Sequence, residues 1–361
     1  MSVKIVALPG DGIGQEVIEG ALLVMEDRCK HHDLSLEVQM FPAGGKAIEE
    51  FGSPLPEHVY EACLDAGIVL FGAVGDSRFD NELPEKRPEA ALLGLRKRLG
   101  LFANLRPVTH VPFLEAASPL KAEIIKGVDI LIVRELTGGI YFGEPRGREF
   151  REGREVAFNS EVYWDFEIER IARVAFESSR GRRRLVTNVD KSNVMESSQL
   201  WRDVVTRVSL DYPDVELNHI LVDNCAMQLI GNPRQFDVLL CSNMFGDILS
   251  DEGAMLTGSI GMLPSASLGE LREGTRIGMY EPVHGSAPDI AGEGKANPLA
   301  AIYSLALLFR HSLGRDDIAL EIETAVDSAL DSGHRTADLV TEEGEAISTS
   351  AMVKQVLMNL P

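Results

Sequence analysis

Cysteine is scarce in this sequence and never closely spaced. Cys29, Cys63, Cys225 and Cys241 lie far apart with no C-x-x-C pair, so neither a zinc site nor a disulfide framework is indicated, and a reducing, cytoplasmic setting is expected. The opening MSVKIVAL lacks the basic start, apolar stretch and cleavage site of a signal peptide. No apolar run approaches the ~18–20 residues that span a bilayer, and no membrane partner is expected. Basic residues are in deficit: 35 Lys and Arg against 56 Asp and Glu give a net charge of −21 and a pI near 4.8. Such a surface repels nucleic-acid phosphates and anionic lipid, so no nucleic-acid partner is expected. An anionic substrate must then be drawn in by a local group of arginines. Two nucleotide-binding motifs are missing as well. G-x-x-x-x-G-K-[ST] does not occur, which disfavours a kinase or NTPase. VALPGDGIGQE runs from a strand into a glycine-rich turn, but the third glycine of G-x-G-x-x-G is replaced by Gln15. Taken alone, Gly10 to Gly14 is a tight strand-to-helix turn, and a bound dinucleotide belongs elsewhere.

What is present is an α/β pattern. The 361 residues, 45% hydrophobic and 25% charged, suit two domains with sizeable cores. Short β-branched runs (VKIVAL, SLEVQMF, IVLFGAV, VDILIVREL, RRLVTNV, ELNHILV and FDVLLCS) alternate with amphipathic segments such as QEVIEGALLVMEDRCK, DFEIERIARVAFESS and SSQLWRDVVTRVSLD. This rhythm predicts an α/β fold rich in parallel sheet. From Gly138 to Tyr163 short strand-like pieces mix with Gly, Pro and charge, which predicts a hairpin or arm. From about Leu299 onward the pattern is mostly helical.

The stretch SNMFGDILSDEGAML carries the most chemistry. Asp247 and Asp251 are four apart on a predicted helix, so both carboxylates face one way. Such a pair is usually a solvated helix face, but three features weigh against that here. The pair follows the apolar strand FDVLLCS, at the strand end where α/β proteins bind ligands. Its neighbours Phe245, Ile248 and Leu249 are apolar, and another lone acid, Asp223, ends the apolar strand in HILVDNCAM. Three hard oxygen donors suit Mg2+ or Mn2+. Arg96, Arg106 and Arg134 are the cations to match. Each alone is open to a salt-bridge reading, and Arg134, set between ILIV and ELTGG, is the costliest to explain that way. Guanidinium groups grip carboxylates bidentately, so three suit a di- or tricarboxylic acid.

Tyr141 sits among glycines in GGIYFG, which permit close approach. Lys191 directly follows a strand in TNVDKSNV. Alone it reads as a solvated charge; beside a metal and several arginines it becomes a usable base. Tyr280 to Pro298 is a long, polar, glycine-rich loop without low complexity. It is either an ornate surface loop or a functional one, and its Asp289 has the chemistry to accept a hydrogen bond from a ribose 2′-OH.

LPGDGIG, RPEAALLGLR, NLRP, VRELTGGIYFGEPRG, NVDKSNV, FGDILSDE and HGSAPDIAG occur in the order, and close to the spacing, of the β-decarboxylating dehydrogenases. Nearly the whole chain resembles this family, which includes isopropylmalate, isocitrate and tartrate dehydrogenases. The resemblance implies two α/β domains of that type, not a usual Rossmann fold. One comprises 1–101 and 258–361, built from both chain ends on the cofactor side. The other is 102–257, with a dimerisation arm at about 138–163. It implies NAD and Mg2+ or Mn2+ as cofactors, a small dicarboxylic acid as substrate, and a homodimer with shared active sites.

By the same resemblance, Tyr141 and Lys191 form the acid–base pair, and Arg96, Arg106 and Arg134 hold the substrate carboxylates. Asp247 and Asp251 bind the metal with Asp223 from the second subunit, from which Lys191 also reaches across. Asp223 and Val194 border the substrate too. Glu89, Leu92 and Leu93 match the isopropylmalate subgroup, in which the leucines meet an isopropyl group. His284, Gly285, Ser286, Ala287, Asp289, Ile290 and Asn297 surround NAD, and Asp289-Ile290 matches the NAD users. Some positions depart from the family pattern. Asp76 and Ser77 stand where a second glycine and a proline are usual, and Ser192 and Met195 where alanine and leucine are. The implied activity is oxidative decarboxylation of 3-isopropylmalate in leucine biosynthesis. The alternatives are a related 2-hydroxy acid (isocitrate, homoisocitrate, tartrate or malate) or a catalytically silent regulatory homologue.

Overall fold

Each apolar run read as a strand forms one in the computed structural model, which describes residues 3–118, 120–257, 259–340 and 344–361. Among these residues the strands in chain order are β1 (Val3–Gly10), β2 (Leu36–Met40), β3 (Ile68–Ala73), β4 (Ala103–Thr109), β5 (Asp129–Glu135), β6 (Gly147–Arg151), β7 (Arg154–Phe158), β8 (Leu185–Asp190), β9 (Glu216–Leu221), β10 (Val238–Cys241), β11 (Pro264–Arg272) and β12 (Thr275–Pro282). The chain divides into two compact units. The first is Met1–Leu101 with Val111–Pro119 and Thr257–Pro361; the second is Phe102–His110 with Leu120–Leu256. The sequence placed 102–257 together, whereas Val111–Pro119 clusters with the first unit. The expected boundary at Gly258 lies outside the described residues.

In the first unit the strand order is β2-β1-β3-β12-β11. β1 runs parallel to β2 and β3, β3 parallel to β12, and β11 antiparallel to β12. Helices Gly14–His31, Leu299–His311, Asp316–Asp331 and Thr349–Asn359 pack against one another in this unit. Leu299–His311 is buried along almost its whole length, as its run of Leu, Ala and Ile requires. β11 escapes the apolar pattern because small polar residues, Ser265 and Ser267, fill its buried positions.

In the second unit the order is β4-β5-β10-β8-β9, with β4 antiparallel to β5 and the other pairs parallel. β4 is hidden in the sequence because Arg106 and Pro107 interrupt its apolar run; Asn104 and Arg106 are nevertheless buried. Register then fixes the site. Cys241 of β10 lies opposite Arg134 of β5 and Val189 of β8, and Asp190 lies opposite Leu221 of β9. Parallel strands all end on one edge, so Arg134, Asn243, Lys191 and Asp223 emerge together along it. β6 and β7 form a separate two-stranded hairpin with Phe150 exposed, and the segment before it is a short turn, Gly139–Tyr141. Among the described residues no helix is long and apolar enough to cross a membrane.

The helix Asn243–Thr257 is seated by Leu249, fully buried in a cluster with Val108, Ile132, Leu239 and Cys241. That anchor turns Asp247 and Asp251 away from the core. Leu249→Ala removes it, and such truncations cost about 2–5 kcal/mol. The urea midpoint should fall by the corresponding amount with an unchanged m-value; an unshifted midpoint would mean that Leu249 does not seat the helix.

Candidate functional site

Two buried arginines organise the second unit's site. Arg134, 3% exposed, ends an apolar strand and needs partners there. Its Nε and Nη2 donate to Asn243 Oδ1 at 3.1 and 2.8 Å, and its Nη1 donates to Asp247. Arg106 donates from Nε to Asn104 Oδ1 at 2.9 Å, and from Nη1 to Ser250 Oγ at 2.6 Å and Asp251 at 3.3 Å. Its Nη2 lies 3.8 Å from Asp247. The two aspartates therefore share two cations, which relieves the repulsion expected of an i, i+4 acidic pair. Loss of solvation still pushes the Asp251 carboxyl above its usual range, against the pull of Arg106.

Tyr141 joins this group directly. Its hydroxyl donates to Asp247 Oδ2 at 2.8 Å, and burial, then the Asp247 carboxylate, raises the phenol above its ordinary value. The turn carrying it is held by residues the sequence did not single out. Glu135, fully buried, accepts from the backbone N–H of Thr137 and Gly138, both at 2.8 Å. The Tyr163 ring packs so closely on Gly138 that a Cβ there would lie 2.7 Å from it.

Lys191 and Asp223 form a second pair, Nζ to Oδ1 at 2.6 Å. The ammonium beside it holds the Asp223 carboxyl below its usual range. Asp223 was expected at a strand end; it lies instead in the first turn of the helix Val222–Gly231, directly after β9. The turn bearing Lys191 is fixed by Asp190, which is buried and accepts from Ser192 N–H at 3.0 Å and from two nitrogens of Arg202, each at 2.9 Å. Val194 stands 72% exposed one turn further on. Among the described residues no three His, Cys, Asp or Glu side chains of one chain converge as a metal cluster.

The first unit holds the other candidates. Arg96 is buried and donates to Glu281 at 2.8 Å, while its Nε is buried with no hydrogen-bond partner. On the helix Glu89–Arg98, Leu92 packs partly into the core and Leu93, 43% exposed, faces outward with Glu89. The expected two-leucine wall thus presents mainly Leu93. In the HGSAPDIAG loop Gly285 and Asp289 are exposed and Ser286 is buried. His284 Nδ1 donates to the Gly285 carbonyl at 2.9 Å, which leaves Nε2 an acceptor, buried and without a partner. Burial holds this imidazole below its ordinary pKa. Ala287 adopts a positive φ of 39°. Asn297 is turned inward, donating to Asp338 at 3.0 Å and accepting from Leu299 N–H at 3.0 Å.

The isocitrate/isopropylmalate dehydrogenase family matches residues 4–356. A 3-isopropylmalate dehydrogenase of Symbiobacterium thermophilum is 54% identical over 356 residues, 98% of this chain and 97% of that one. One of Salmonella typhi is 56% identical over 350 residues, 96% and 95% of the two chains. Among solved structures, isocitrate dehydrogenase from Methylococcus capsulatus aligns with a TM-score of 0.86 at 32% identity, covering 99% of both chains. This chain belongs to the isocitrate/isopropylmalate dehydrogenase family.

The residues present fit the groups that family membership implies. Asp247 and Asp251 offer hard oxygens on successive turns of one helix, each with a solvent-facing side, a donor set suited to Mg2+ or Mn2+. The unpartnered His284 Nε2 beside exposed Gly285 and Asp289 suits a ligand rich in donors, such as an adenosine. The family's glycine-rich turn has a different task. Ile13 N–H donates to the Ser286 carbonyl at 2.8 Å, so Gly10 to Gly14 braces the HGSAPDIAG loop. Asp11, also unremarked in the sequence, is buried and accepts from the N–H groups of Gly45, Lys46 and Gly75 at 3.0, 3.1 and 3.0 Å. The departure at Asp76 is accommodated as a cap: its carboxylate accepts from Arg78 N–H and Nε, both at 3.0 Å. Asp11→Ala removes the acceptor of three amides, of which the Gly45 N–H is buried, and a buried unsatisfied group costs about 1–3 kcal/mol. Hydrogen exchange at Gly45, Lys46 and Gly75 should accelerate together in this variant. Unchanged exchange at all three would show that Asp11 does not clamp these segments.

Proposed function

We propose that this chain catalyses the NAD- and divalent-metal-dependent oxidative decarboxylation of 3-isopropylmalate to 4-methyl-2-oxopentanoate, a step of leucine biosynthesis. The observation that carries the proposal is the grouping of Arg106, Arg134, Tyr141, Asp247 and Asp251 at one sheet edge, in a chain more than half identical to 3-isopropylmalate dehydrogenases over nearly its full length. Leu93, exposed beside Glu89, supports an alkyl-bearing substrate over one with a further carboxylate.

Arg96, Arg106 and Arg134 bind the two carboxylates through charge-assisted hydrogen bonds. Leu93, with Leu92 behind it, covers the isopropyl group, and Val194 borders the substrate. Asp247 and Asp251, with Asp223, hold the metal. When bound, the metal would supply Lewis-acid polarisation of the substrate's hydroxyl oxygen, and NAD would supply a hydride acceptor. Lys191 takes the hydroxyl proton, after which CO2 leaves. Tyr141 then donates a proton to the carbon from which CO2 departed, a role for which a phenol held protonated beside a carboxylate is suited. His284, Gly285, Ser286, Ala287 and Ile290 line the adenosine, and Asn297 stiffens this loop from inside. Asp289 accepts from the ribose 2′-OH and repels a 2′-phosphate, since like charges in contact are costly. The chain acts as a cytoplasmic homodimer in which Lys191 and Asp223 complete the partner's site. Their pairing with each other, Nζ to Oδ1 at 2.6 Å, supports that reading.

NADH absorbance with 3-isopropylmalate, isocitrate, tartrate and malate, each with NAD or NADP, tests the proposal. Turnover should be greatest with 3-isopropylmalate and NAD, vanish with EDTA and return with Mg2+ or Mn2+. Leu93→Ala should weaken 3-isopropylmalate by about 1–3 kcal/mol in kcat/KM and leave malate unaffected. Preference for another acid, or full activity after exhaustive chelation, would overturn the assignment.

A further inference from the structure

We propose that Asn243 is a positioning residue of this reaction, setting the guanidinium of Arg134 and the turn that carries Tyr141 at the same time. The proposal rests on the roles given above to those two residues. Asn243 opens the helix that bears Asp247 and Asp251, and it is 1% exposed. A buried asparagine must satisfy one carbonyl and one amide group, and here each serves a different part of the site. Oδ1 accepts from Arg134 Nε and Nη2 together, at 3.1 and 2.8 Å. This fixes one whole edge of the guanidinium plane and turns Nη1 toward Asp247. Nδ2 donates to the Gly138 carbonyl at 3.1 Å, and the main-chain N–H donates to Tyr163 Oη at 2.8 Å.

Gly138 is consequently held at both of its polar atoms: its N–H by Glu135, its carbonyl by Asn243. Gly139 follows with a positive φ of 74° and its N–H bonded to the Val162 carbonyl at 2.9 Å. Tyr141 stands two residues further on. The group that orients the arginine therefore also anchors the base of the tyrosine's turn.

The chemistry selects a neutral amide. An aspartate of the same shape could accept from Arg134 but not donate to Gly138. Its charge would also pair with the arginine and reduce the attraction left for a substrate carboxylate. Alanine removes both side-chain links but leaves the arginine's charge intact. The two replacements should therefore differ in kind. A residue that merely stabilised the fold would not separate them.

The test uses the full chain as Asn243→Asp and Asn243→Ala. Ser179→Ala is the control; it removes another buried hydrogen bond of this unit, from Ser179 Oγ to the Phe176 carbonyl at 2.7 Å, outside the site. Kinetics with 3-isopropylmalate, NAD and Mg2+ are combined with calorimetric titration of 3-isopropylmalate without NAD. Asn243→Asp should raise KM and the calorimetric Kd at least tenfold, and more than Asn243→Ala does. Asn243→Ala should lower kcat about 100-fold, the scale on which a displacement of about 1 Å acts. Ser179→Ala should change neither parameter. If Asn243→Ala does not fold, the Kd of Asn243→Asp decides alone. Folded variants with kcat, KM and Kd within threefold of wild type would overturn the proposal. So would a crystal structure of Asn243→Ala with Arg134 and Gly138 to Tyr141 unmoved. That structural readout needs no turnover. A wild-type chain inactive on 3-isopropylmalate would refute the functional reading, and the variant's structure would still decide the positioning claim.

Discussion

A buried cation has to be paired, and two of them, Arg106 and Arg134, set the terms for the second unit. Burying an isolated charge is so costly that the surrounding chain must supply counter-charges and hydrogen bonds in place of water. Asp247, Asp251, Asn104, Asn243 and Ser250 do so. Much local structure follows from this requirement. The helix must begin immediately after β10, because register puts Cys241 opposite Arg134. Residue 246 must be glycine, since a Cβ there would lie 2.6 Å from Arg134 Cγ. The aspartates that neutralise the arginines are thereby fixed in place beside them, the arrangement on which the proposed metal and substrate sites rest.

The Lys191–Asp223 pair obeys the same principle more loosely. It sits at the ends of β8 and β9 on the same edge, and Asp190 and Arg202 stiffen the turn beneath the lysine. A lysine engaged with its own chain's aspartate, next to the strongly exposed Val194, has the character of a half-site presented outward. The shared active site proposed above would give such a half-site its purpose.

Much of this was legible in the sequence. The spacing of Asp247 and Asp251, the lone Arg134 after ILIV and the glycines around Tyr141 each broke a simple pattern in a way that ordinary surface residues do not. Strands with uninterrupted β-branched runs were equally plain. β4 and β11 were not, because burial there falls on Asn104, Arg106, Ser265 and Ser267, which carry no hydrophobic signal. Asn243 and Asp11 were illegible for a different reason. Each acts through bonds to residues distant in the chain, and an Asn before a helix or an Asp in a glycine turn reads as local capping. The expected Leu92–Leu93 wall does not form one surface, because helical rotation of about 100° per residue sends the first leucine toward the core and leaves the second outside.

The central claim is that one active site draws on two chains: Arg134, Tyr141, Asp247 and Asp251 from one, Lys191 and Asp223 from the other. Co-refolding an inactive Lys191→Met chain with an inactive Tyr141→Phe chain measures this directly. Each hybrid dimer would hold one site with both lesions and one with neither. Activity with 3-isopropylmalate, NAD and Mg2+ should therefore return to about a quarter of the wild-type value under random assortment into dimers. Verified hybrid dimers that remain inactive would contradict the claim and mean that each chain builds its own site.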